Sequence, residues 1–208
     1  MFTGIIAEQA EVISVTHDRT NRIFVLQSSL AQQFRVDESV AHNGVCLTVE
    51  QVDPQKQQYQ VTAIEETLSK TMLGDVAAGD FLNLEQALAA NGRLDGHFVQ
   101  GHVDTVGTVS QINSRDGSTD YTVRYPADDE ALVIGRGSIC INGISLTVAR
   151  NDPAAHTLTV SIIPHTTMKT NIGRLQTGDR VNLEFDMLGK YVLKLTSLGM
   201  LPSDHSGS

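Results

Sequence analysis

Two seven-residue segments of the chain differ at one chemically important position. The segment N-G-V-C-L-T-V begins at residue 43, and N-G-I-S-L-T-V begins at residue 142. They place the thiol of Cys46 and the hydroxyl of Ser145 at equivalent positions. Either group could add to an electron-poor ring carbon or activate water beside it. For an isolated residue, the commoner roles are a small buried hydrophobic residue for Cys46 and a turn hydroxyl for Ser145.

Two histidines, His97 and His102, are close enough in sequence to suggest a metal pair. No third or fourth ligand follows at a suitable spacing, so we expect no metal site. His102 is a candidate for proton transfer near neutral pH, with a hydrogen-bonded core histidine as the structural alternative. His97 is expected to support the structure at a domain entrance.

Further matches show that these residues belong to an internal duplication. The offset of 99 residues also relates the N-L-E segments at 83–85 and 182–184 and the G-D pairs at 79 and 178. Near the start, G-I-I at 4–6 corresponds to G-H-V at 101–103 with an offset of 97, so His102 stands where the first copy has Ile5. A constant offset over many positions indicates two copies of one domain.

Composition limits the classes of function. The chain has 208 residues and a formal net charge of −9, which disfavours binding to nucleic acid. No stretch is apolar for long enough to span a membrane, and the N-terminus lacks the pattern of a signal peptide. Two cysteines without a C-x-x-C pair predict reduced thiols. We therefore expect a cytoplasmic protein that binds neither nucleic acid nor membranes.

The pattern of short apolar runs and turns predicts an all-β fold. Residues 45–52 and 59–64 alternate between apolar and polar types, and the N-G pairs at 43 and 142 favour hairpin turns. A short helix is expected over residues 66–72, ended by Gly74. We predict two tandem six-stranded Greek-key β-barrels with short helices, the first within residues 1–97 and the second within 98–187.

The C-terminal part is predicted to form a helix over residues 188–201 and a disordered tail over 202–208. Apolar side chains recur in it at helical spacing, at Leu188, Tyr191, Val192, Leu195 and Leu198. This apolar stripe could fold back on the barrels or pack against other copies of the chain. We favour the second arrangement, an oligomerisation helix.

Several motifs together resemble the riboflavin synthase family over roughly the whole chain. They are M-F-T-G-I at the N-terminus, the paired N-G-x-[CS]-L-T-V segments, E-T-L at 66–68, G-H-F-V-Q-G-H-V-D at 96–104, and V-N-L-E-F-D-M-L-G-K-Y at 181–191. The resemblance implies transfer of a four-carbon unit between two molecules of 6,7-dimethyl-8-ribityllumazine, giving riboflavin and 5-amino-6-ribitylaminouracil. It implies no metal or organic cofactor.

The same resemblance implies a homotrimer, in which each active site lies between the first barrel of one subunit and the second barrel of a neighbour. It also implies association with lumazine synthase. The substrate's C7 methyl group is acidic, so catalysis requires mainly positioning, proton transfer and stabilisation of developing charge.

The resemblance assigns site residues in both copies. The catalytic candidates are Cys46, His102, Ser145, Thr147 and Asp186, and Asp186 could instead serve as a helix N-cap. The substrate-binding candidates of the first copy are Phe2 (as an aromatic wall), Gly4, Ile5, Ile6, Ser39, Cys46, Leu47, Thr48, Thr62, Ala63, Ile64, Glu65, Glu66 and Thr67. Those of the second copy are Gly101, His102, Val103, Arg136, Ser145, Leu146, Thr147, Ile162, Ile163, Pro164, His165, Thr166 and Thr167.

Two of these positions depart from the family pattern. Arg136 replaces the usual lysine; it keeps the charge but cannot exchange a proton at neutral pH. His165 replaces a common glutamate, which removes a charge from the expected ribityl site.

The main alternative is a non-catalytic lumazine- or flavin-binding protein of the same fold. Retention of Cys46, His97, His102, Ser145 and Thr147 favours the enzyme. A flavin barrel from a reductase is disfavoured because no G-x-G-x-x-G follows a strand.

Overall fold

A computed structural model describes residues 1–200, which contain two closed six-stranded antiparallel β-barrels followed by a helix. The strands of the first barrel are β1 (Glu8–Asp18), β2 (Asn21–Gln27), β3 (Ser39–His42), β4 (Val45–Asp53), β5 (Gln58–Ala63) and β6 (Phe81–Gln86). Those of the second barrel are β7 (Thr105–Arg115), β8 (Ser118–Arg124), β9 (Ser138–Ile141), β10 (Ile144–Asp152), β11 (Thr157–Ile162) and β12 (Arg180–Phe185). The predicted fold class is confirmed.

The two barrels share one topology. Around the first barrel the strands follow the order β1-β2-β5-β4-β3-β6, and around the second β7-β8-β11-β10-β9-β12. Both N-G pairs form the predicted two-residue hairpin turns, with φ of 48° at Asn43 and 79° at Gly44 in the first copy. Two consecutive positive φ angles match the twist of the flanking strands, which explains the choice of Asn and Gly.

The core of the first barrel contains a polar pair that its counterpart lacks. The Tyr59 hydroxyl lies 2.8 Å from Nε2 of His42, and His42 Nδ1 lies 3.1 Å from the carbonyl oxygen of Val40. Complete burial lowers the pKa of His42 to about 4, so the ring is neutral at neutral pH. Ile141 and Leu158 occupy the equivalent positions of the second barrel.

The short helix of the first copy differs in extent from the prediction. Helix α1 (Glu65–Lys70) ends before Thr71, and a 3₁₀ turn (Met72–Asp75) follows that contains Gly74. The Thr71 hydroxyl accepts a backbone hydrogen bond and so caps the 3₁₀ turn. The single helix predicted for this segment is therefore two separate helical turns. The second copy repeats this arrangement after helix α2 (Pro164–Lys169).

Buried asparagines join the two barrels. Asn182 donates from Nδ2 to the carbonyl of Asn43 (2.8 Å), and its Oδ1 accepts from the N–H of Met72 (2.7 Å). Asn83 makes the equivalent two bonds in the opposite direction, at 2.9 and 2.7 Å. Because equivalent residues exchange equivalent bonds, the barrels are related by a pseudo-twofold axis.

Helix α3 (Met187–Ser197) begins after Asp186, whose carboxylate accepts a hydrogen bond from the N–H of Leu188 at 3.0 Å. Its apolar stripe does not fold back on the barrels: Leu188 is 64% and Tyr191 62% exposed. Among residues 1–200, no helix has the length and apolar character needed to cross a bilayer. The tail predicted over 202–208 lies outside the described residues.

We predict that Asn182→Ala lowers the free energy of unfolding, measured by urea denaturation at fixed protein concentration. The change leaves Met72 N–H and the Asn43 carbonyl without their partner, and each loss costs about 1–3 kcal/mol. Asn91→Ala, at an exposed turn, serves as the matched control and is expected to change stability little. Equal unfolding midpoints for the two variants would contradict the joining role of Asn182.

Candidate functional site

Each repeat begins with an extended segment that precedes its barrel. We call residues 2–6 the first leader and residues 97–103 the second leader. The two pair antiparallel: Phe2 N–H donates to the carbonyl of Val99 (2.7 Å), and Val99 N–H donates to that of Phe2 (3.1 Å). Since Phe2 and Val99 are equivalent positions of the repeat, the leaders cross at the pseudo-twofold axis.

The leaders are exchanged between the barrels. Ser145 N–H, in the second barrel, donates to the carbonyl of Gly4 in the first leader at 2.7 Å. Cys46 N–H, in the first barrel, donates to the carbonyl of Gly101 in the second leader at 2.9 Å. Strand β10 pairs with β11 only from Val148 onwards, so the edge of β10 at Ser145 is free to accept the leader. Each barrel is therefore completed by the leader of the other repeat.

Close approach explains the glycine in each leader. A Cβ on Gly4 would lie 2.5 Å from the Cβ of Ser145, and one on Gly101 would lie 2.6 Å from the Cβ of Cys46. Both glycines also have positive φ, at 77° and 82°. Gly4 and Gly101, named above as substrate-binding candidates, thus approach the opposite barrel closely. Phe2 is fully buried beside Gly101, so its ring supports the leader and has no exposed face to form an aromatic wall.

Two buried glutamates hold the leaders. Glu85, on β6, accepts from Thr3 N–H (2.6 Å), Thr3 Oγ1 (2.7 Å) and Gly4 N–H (2.8 Å). Glu184, on β12, accepts three consecutive N–H groups, those of Gln100 (2.6 Å), Gly101 (3.0 Å) and His102 (3.0 Å). Burial raises the pKa of both carboxyl groups, and the hydrogen bonds from the leaders oppose that shift. Neither glutamate is among the site residues predicted from the sequence, although the duplicated N-L-E segments contain both.

The first barrel and the second leader form what we call the first half-site. Cys46 is half-buried, while Thr48 and His102 are exposed beside it, and Ser39 pairs with Thr48 across β3 and β4. Leu47 is buried in the core. The other predicted residues lie on the second leader, at the end of β5 and in α1: Val103, Thr62, Ala63, Ile64, Glu65, Glu66 and Thr67.

Some of these first-barrel side chains already have partners or are inaccessible. The Thr62 hydroxyl donates to the Glu50 carboxylate at 2.9 Å, and Glu66 forms an ion pair with Lys70 at 2.7 Å. Ala63 is completely buried. The accessible polar groups of the first half-site therefore include those of Cys46, Thr48 and His102.

The second barrel and the first leader form the second half-site. Ser145 Oγ lies 2.7 Å from Nδ1 of His97. Burial lowers the pKa of His97 below its ordinary value, while the negative charge of Asp186 acts in the opposite direction. A neutral His97 can accept the hydroxyl proton of Ser145. Thr147 and Ile5 are exposed nearby, on β10 and the first leader.

Three of the remaining second-barrel residues line an open cleft. A cleft of about 340 Å³, within the size range of small-molecule sites, lies between the β7–β8 hairpin and α2. The predicted residues that line it are Ile162, Pro164 and Thr167. Ile163 and His165 are exposed and Thr166 is half-buried in the same segment, whereas Leu146 and Ile6 pack against the core.

Arg136 marks a difference of charge between the two half-sites. It is exposed in the loop before β9, has φ of 65°, and donates its N–H to the carbonyl of Val148. The equivalent residue of the first copy is Asp37, with φ of 71° and the same type of bond. The backbone is thus conserved between the copies, while the side-chain charge is reversed.

The catalytic candidates fall into two groups within one chain. Cys46 and His102 belong to the first half-site, and Ser145, Thr147 and Asp186 to the second. Asp186 is the N-cap of α3, and its negative charge acts on His97. Across residues 1–200, no three His, Cys, Asp or Glu side chains are arranged to hold a metal ion.

A separate cleft of about 430 Å³ lies between the barrels and contains none of the predicted site residues. It is lined by Phe81 and Arg180, at the opposite ends of β6 and β12 from Glu85 and Glu184.

Comparisons with known proteins agree with this architecture. The model of the lumazine binding domain family matches residues 3–87 and again 100–186. A riboflavin synthase of Actinobacillus pleuropneumoniae is 38% identical over 193 residues, covering 92% of this chain and 88% of that protein. One from Bacillus subtilis is 36% identical, covering 93% and 89%. A crystal structure of LumP complexed with riboflavin has the same fold, with a TM-score of 0.81, 20% identity and coverage of 89% and 99%.

We predict that burial keeps the pKa of the His97 imidazole below its ordinary value and that Asp186→Asn lowers this pKa further, because the variant removes the charge that favours the imidazolium. The measurement is NMR of ¹³C-labelled histidine rings, with His97 identified from the signal lost in His97→Gln. Asp179→Asn, which changes a carboxylate on a surface turn, is the control. A His97 pKa that rises or stays constant in Asp186→Asn would contradict the proximity of these residues.

Proposed function

The chain belongs to the riboflavin synthase family, and on that premise we propose how its two half-sites catalyse the dismutation of 6,7-dimethyl-8-ribityllumazine. One substrate molecule gives a four-carbon unit to the other, which forms riboflavin and leaves 5-amino-6-ribitylaminouracil. The atoms of two substrate molecules equal those of the two products, so the reaction needs no external oxidant or reductant. The enzyme is a transferase of riboflavin biosynthesis.

One observation supports this proposal above the others: the same fold presents two similar half-sites with different reactive groups. The reaction uses two identical molecules in unequal roles, as donor and acceptor. A duplicated barrel binds the same heterocycle twice, and the different side chains give each molecule its own chemistry. Holding both molecules in one site converts their encounter into an effectively intramolecular step.

In the second half-site, we assign Ser145 to nucleophilic attack or activation of water. His97, neutral at neutral pH, accepts the proton from Ser145 Oγ across 2.7 Å. The carboxylate of Asp186 favours the resulting imidazolium. Thr147 supplies a further hydroxyl to the same surface.

In the first half-site, His102 is assigned to proton transfer at the acidic C7 methyl group, because its exposed imidazole is held on a fixed backbone. Cys46 presents a thiol at the position equivalent to Ser145 and remains the alternative nucleophile. The exposed Thr48 and the half-buried Ser39 and Thr67 bind substrate polar groups. In the second barrel, the residues around the 340 Å³ cleft do so, and Arg136 binds a carbonyl or ribityl hydroxyl.

We further propose a homotrimer in which the first half-site of one subunit faces the second half-site of its neighbour. Within one chain the half-sites hold different catalytic groups, so a facing pair of unlike half-sites has the complete set. The exposed apolar stripe of α3 supports this proposal, since contact with the same stripe of other copies would bury it. Units 1–97 and 98–187 are the repeated binding domains. Cytoplasmic location and association with lumazine synthase stay predictions of the sequence.

A non-catalytic lumazine- or flavin-binding protein is the alternative. The likeness to LumP, at 20% identity, concerns the fold. The Ser145–His97 pair favours the enzyme, because a binding protein needs no hydroxyl paired with a neutral imidazole.

We predict that anaerobic incubation with the lumazine alone yields riboflavin and 5-amino-6-ribitylaminouracil in equal amounts. His102→Gln and Ser145→Ala are expected to lower turnover by about 10²-fold or more, with smaller losses of ligand affinity. Arg174→Gln, away from both half-sites, is the control. Binding without product in the unmodified protein would establish the non-catalytic alternative.

We predict that Val192→Asp, on the apolar stripe, weakens the trimer in analytical ultracentrifugation, because a charge in an apolar seam is costly. Ser197→Asp introduces the same group on the opposite side of α3 and is expected to leave the trimer intact. A monomeric unmodified protein with full activity would overturn the inter-subunit site.

A further inference from the structure

Two buried carboxylates take no part in the proposed chemistry. Glu85 is 7% and Glu184 2% exposed, and each accepts three hydrogen bonds from a leader. Burying a charge costs free energy, and the raised pKa of each group shows that this cost is only partly offset. The contribution of each carboxyl to folding stability therefore falls as the pH rises from the ordinary pKa of glutamate through the raised one.

The hydrogen bonds explain why both positions carry a carboxylate. A leader turns away from its own barrel, so consecutive N–H groups point towards β6 or β12 without a pairing strand. The two oxygens of a carboxylate can accept all of them. The amide of glutamine has one acceptor oxygen, and its NH₂ group would face a backbone donor.

In each leader, the glycine that a glutamate holds also bonds to the opposite barrel. Glu85, in the first barrel, holds Gly4, whose carbonyl accepts from Ser145 in the second barrel. Glu184, in the second barrel, holds Gly101, whose carbonyl accepts from Cys46 in the first. We propose that each glutamate is a positioning residue for the half-site of the other barrel.

The two roles are not equal. Glu184 also accepts the N–H of His102 directly, at 3.0 Å, whereas the equivalent N–H of Ile5 donates to the hydroxyl of Thr3 at 3.3 Å. Glu184 thus fixes the backbone of the residue assigned to proton transfer. This part of the inference depends on the proposed function; the crossed contacts do not.

Hydrogen exchange of backbone amides tests the crossed contacts. In Glu184→Gln, the Cys46 amide is expected to exchange about tenfold faster or more, while Ser145 stays protected. In Glu85→Gln, the matched control from the other repeat, the Ser145 amide is expected to become faster and Cys46 to stay protected. If the glutamates had a merely structural role, each substitution would speed exchange of amides in the barrel that carries it. That result, or no change in exchange, would overturn the proposal.

The rate at which the Cys46 thiol is alkylated provides a second test, which does not depend on amide hydrogen exchange. Cys46 is half-buried under Gly101, and Cys140 is 1% exposed and serves as an internal reference. Glu184→Gln is expected to accelerate iodoacetamide labelling of Cys46 by about tenfold, and Glu85→Gln by less than about twofold. If Glu184→Gln fails to fold, Gln100→Pro, which removes one of the three N–H donors, takes its place with the same expected result. Equal rates of Cys46 labelling in Glu184→Gln and Glu85→Gln would contradict the positioning role of Glu184.

Steady-state kinetics separate this inference from the proposed function. Glu184→Gln is expected to lower kcat by about tenfold with a smaller change in KM, because substrate contacts remain while His102 is displaced. Glu184→Asp, which keeps the charge, should recover part of kcat. If the unmodified protein forms no riboflavin, the proposed function fails and the exchange experiment still decides the positioning role. An unchanged kcat in Glu184→Gln beside an active parent overturns the catalytic part of the inference.

Discussion

The architecture depends on the pairing of backbone groups in two crossed leaders. An extended segment buried between barrels must satisfy every N–H group. Here the leaders pair with each other at Phe2 and Val99, and five further N–H groups of the leaders bind Glu85 or Glu184. Their carbonyls then accept from Ser145 and Cys46 of the opposite barrels. The two halves cannot be separated without leaving buried donors unpaired, so the duplicated chain acts as one unit.

This crossing also explains how a duplication gave two unlike half-sites. The leaders differ at Ile5 and His102, and their exchange puts His102 beside Cys46 and Ile5 beside Ser145. Ser145 instead has the imidazole of His97, whose Nδ1 lies 2.7 Å from the Ser145 hydroxyl. The barrels remain similar enough to bind one heterocycle twice, while their acid–base groups differ. Those differences match a reaction in which identical molecules take unequal roles.

Local patterns in the sequence predicted the barrels correctly, because turns and strand alternation depend on neighbouring residues. The Asn-Gly pairs form the expected hairpins, and the repeat offset predicted the common topology. The exchange of leaders was beyond such reasoning, since the repeat offset is identical whether Gly4 contacts its own barrel or the other. Phe2 was assigned to a ligand surface from the family resemblance, whereas the packing of the crossed leaders buries it. The Ser145–His97 pair joins residues distant in sequence, and only the packed structure shows it.

Subunit mixing tests most directly whether catalysis requires unlike half-sites from two protomers. His102→Gln removes a group of the first half-site, and Ser145→Ala removes one of the second. After the two inactive proteins are co-assembled in equal amounts, random pairing gives roughly a quarter of the sites both intact halves. We expect about a quarter of the parent activity to return on mixing. No recovery in verified mixed trimers would contradict it, because every site would then lie within one damaged chain.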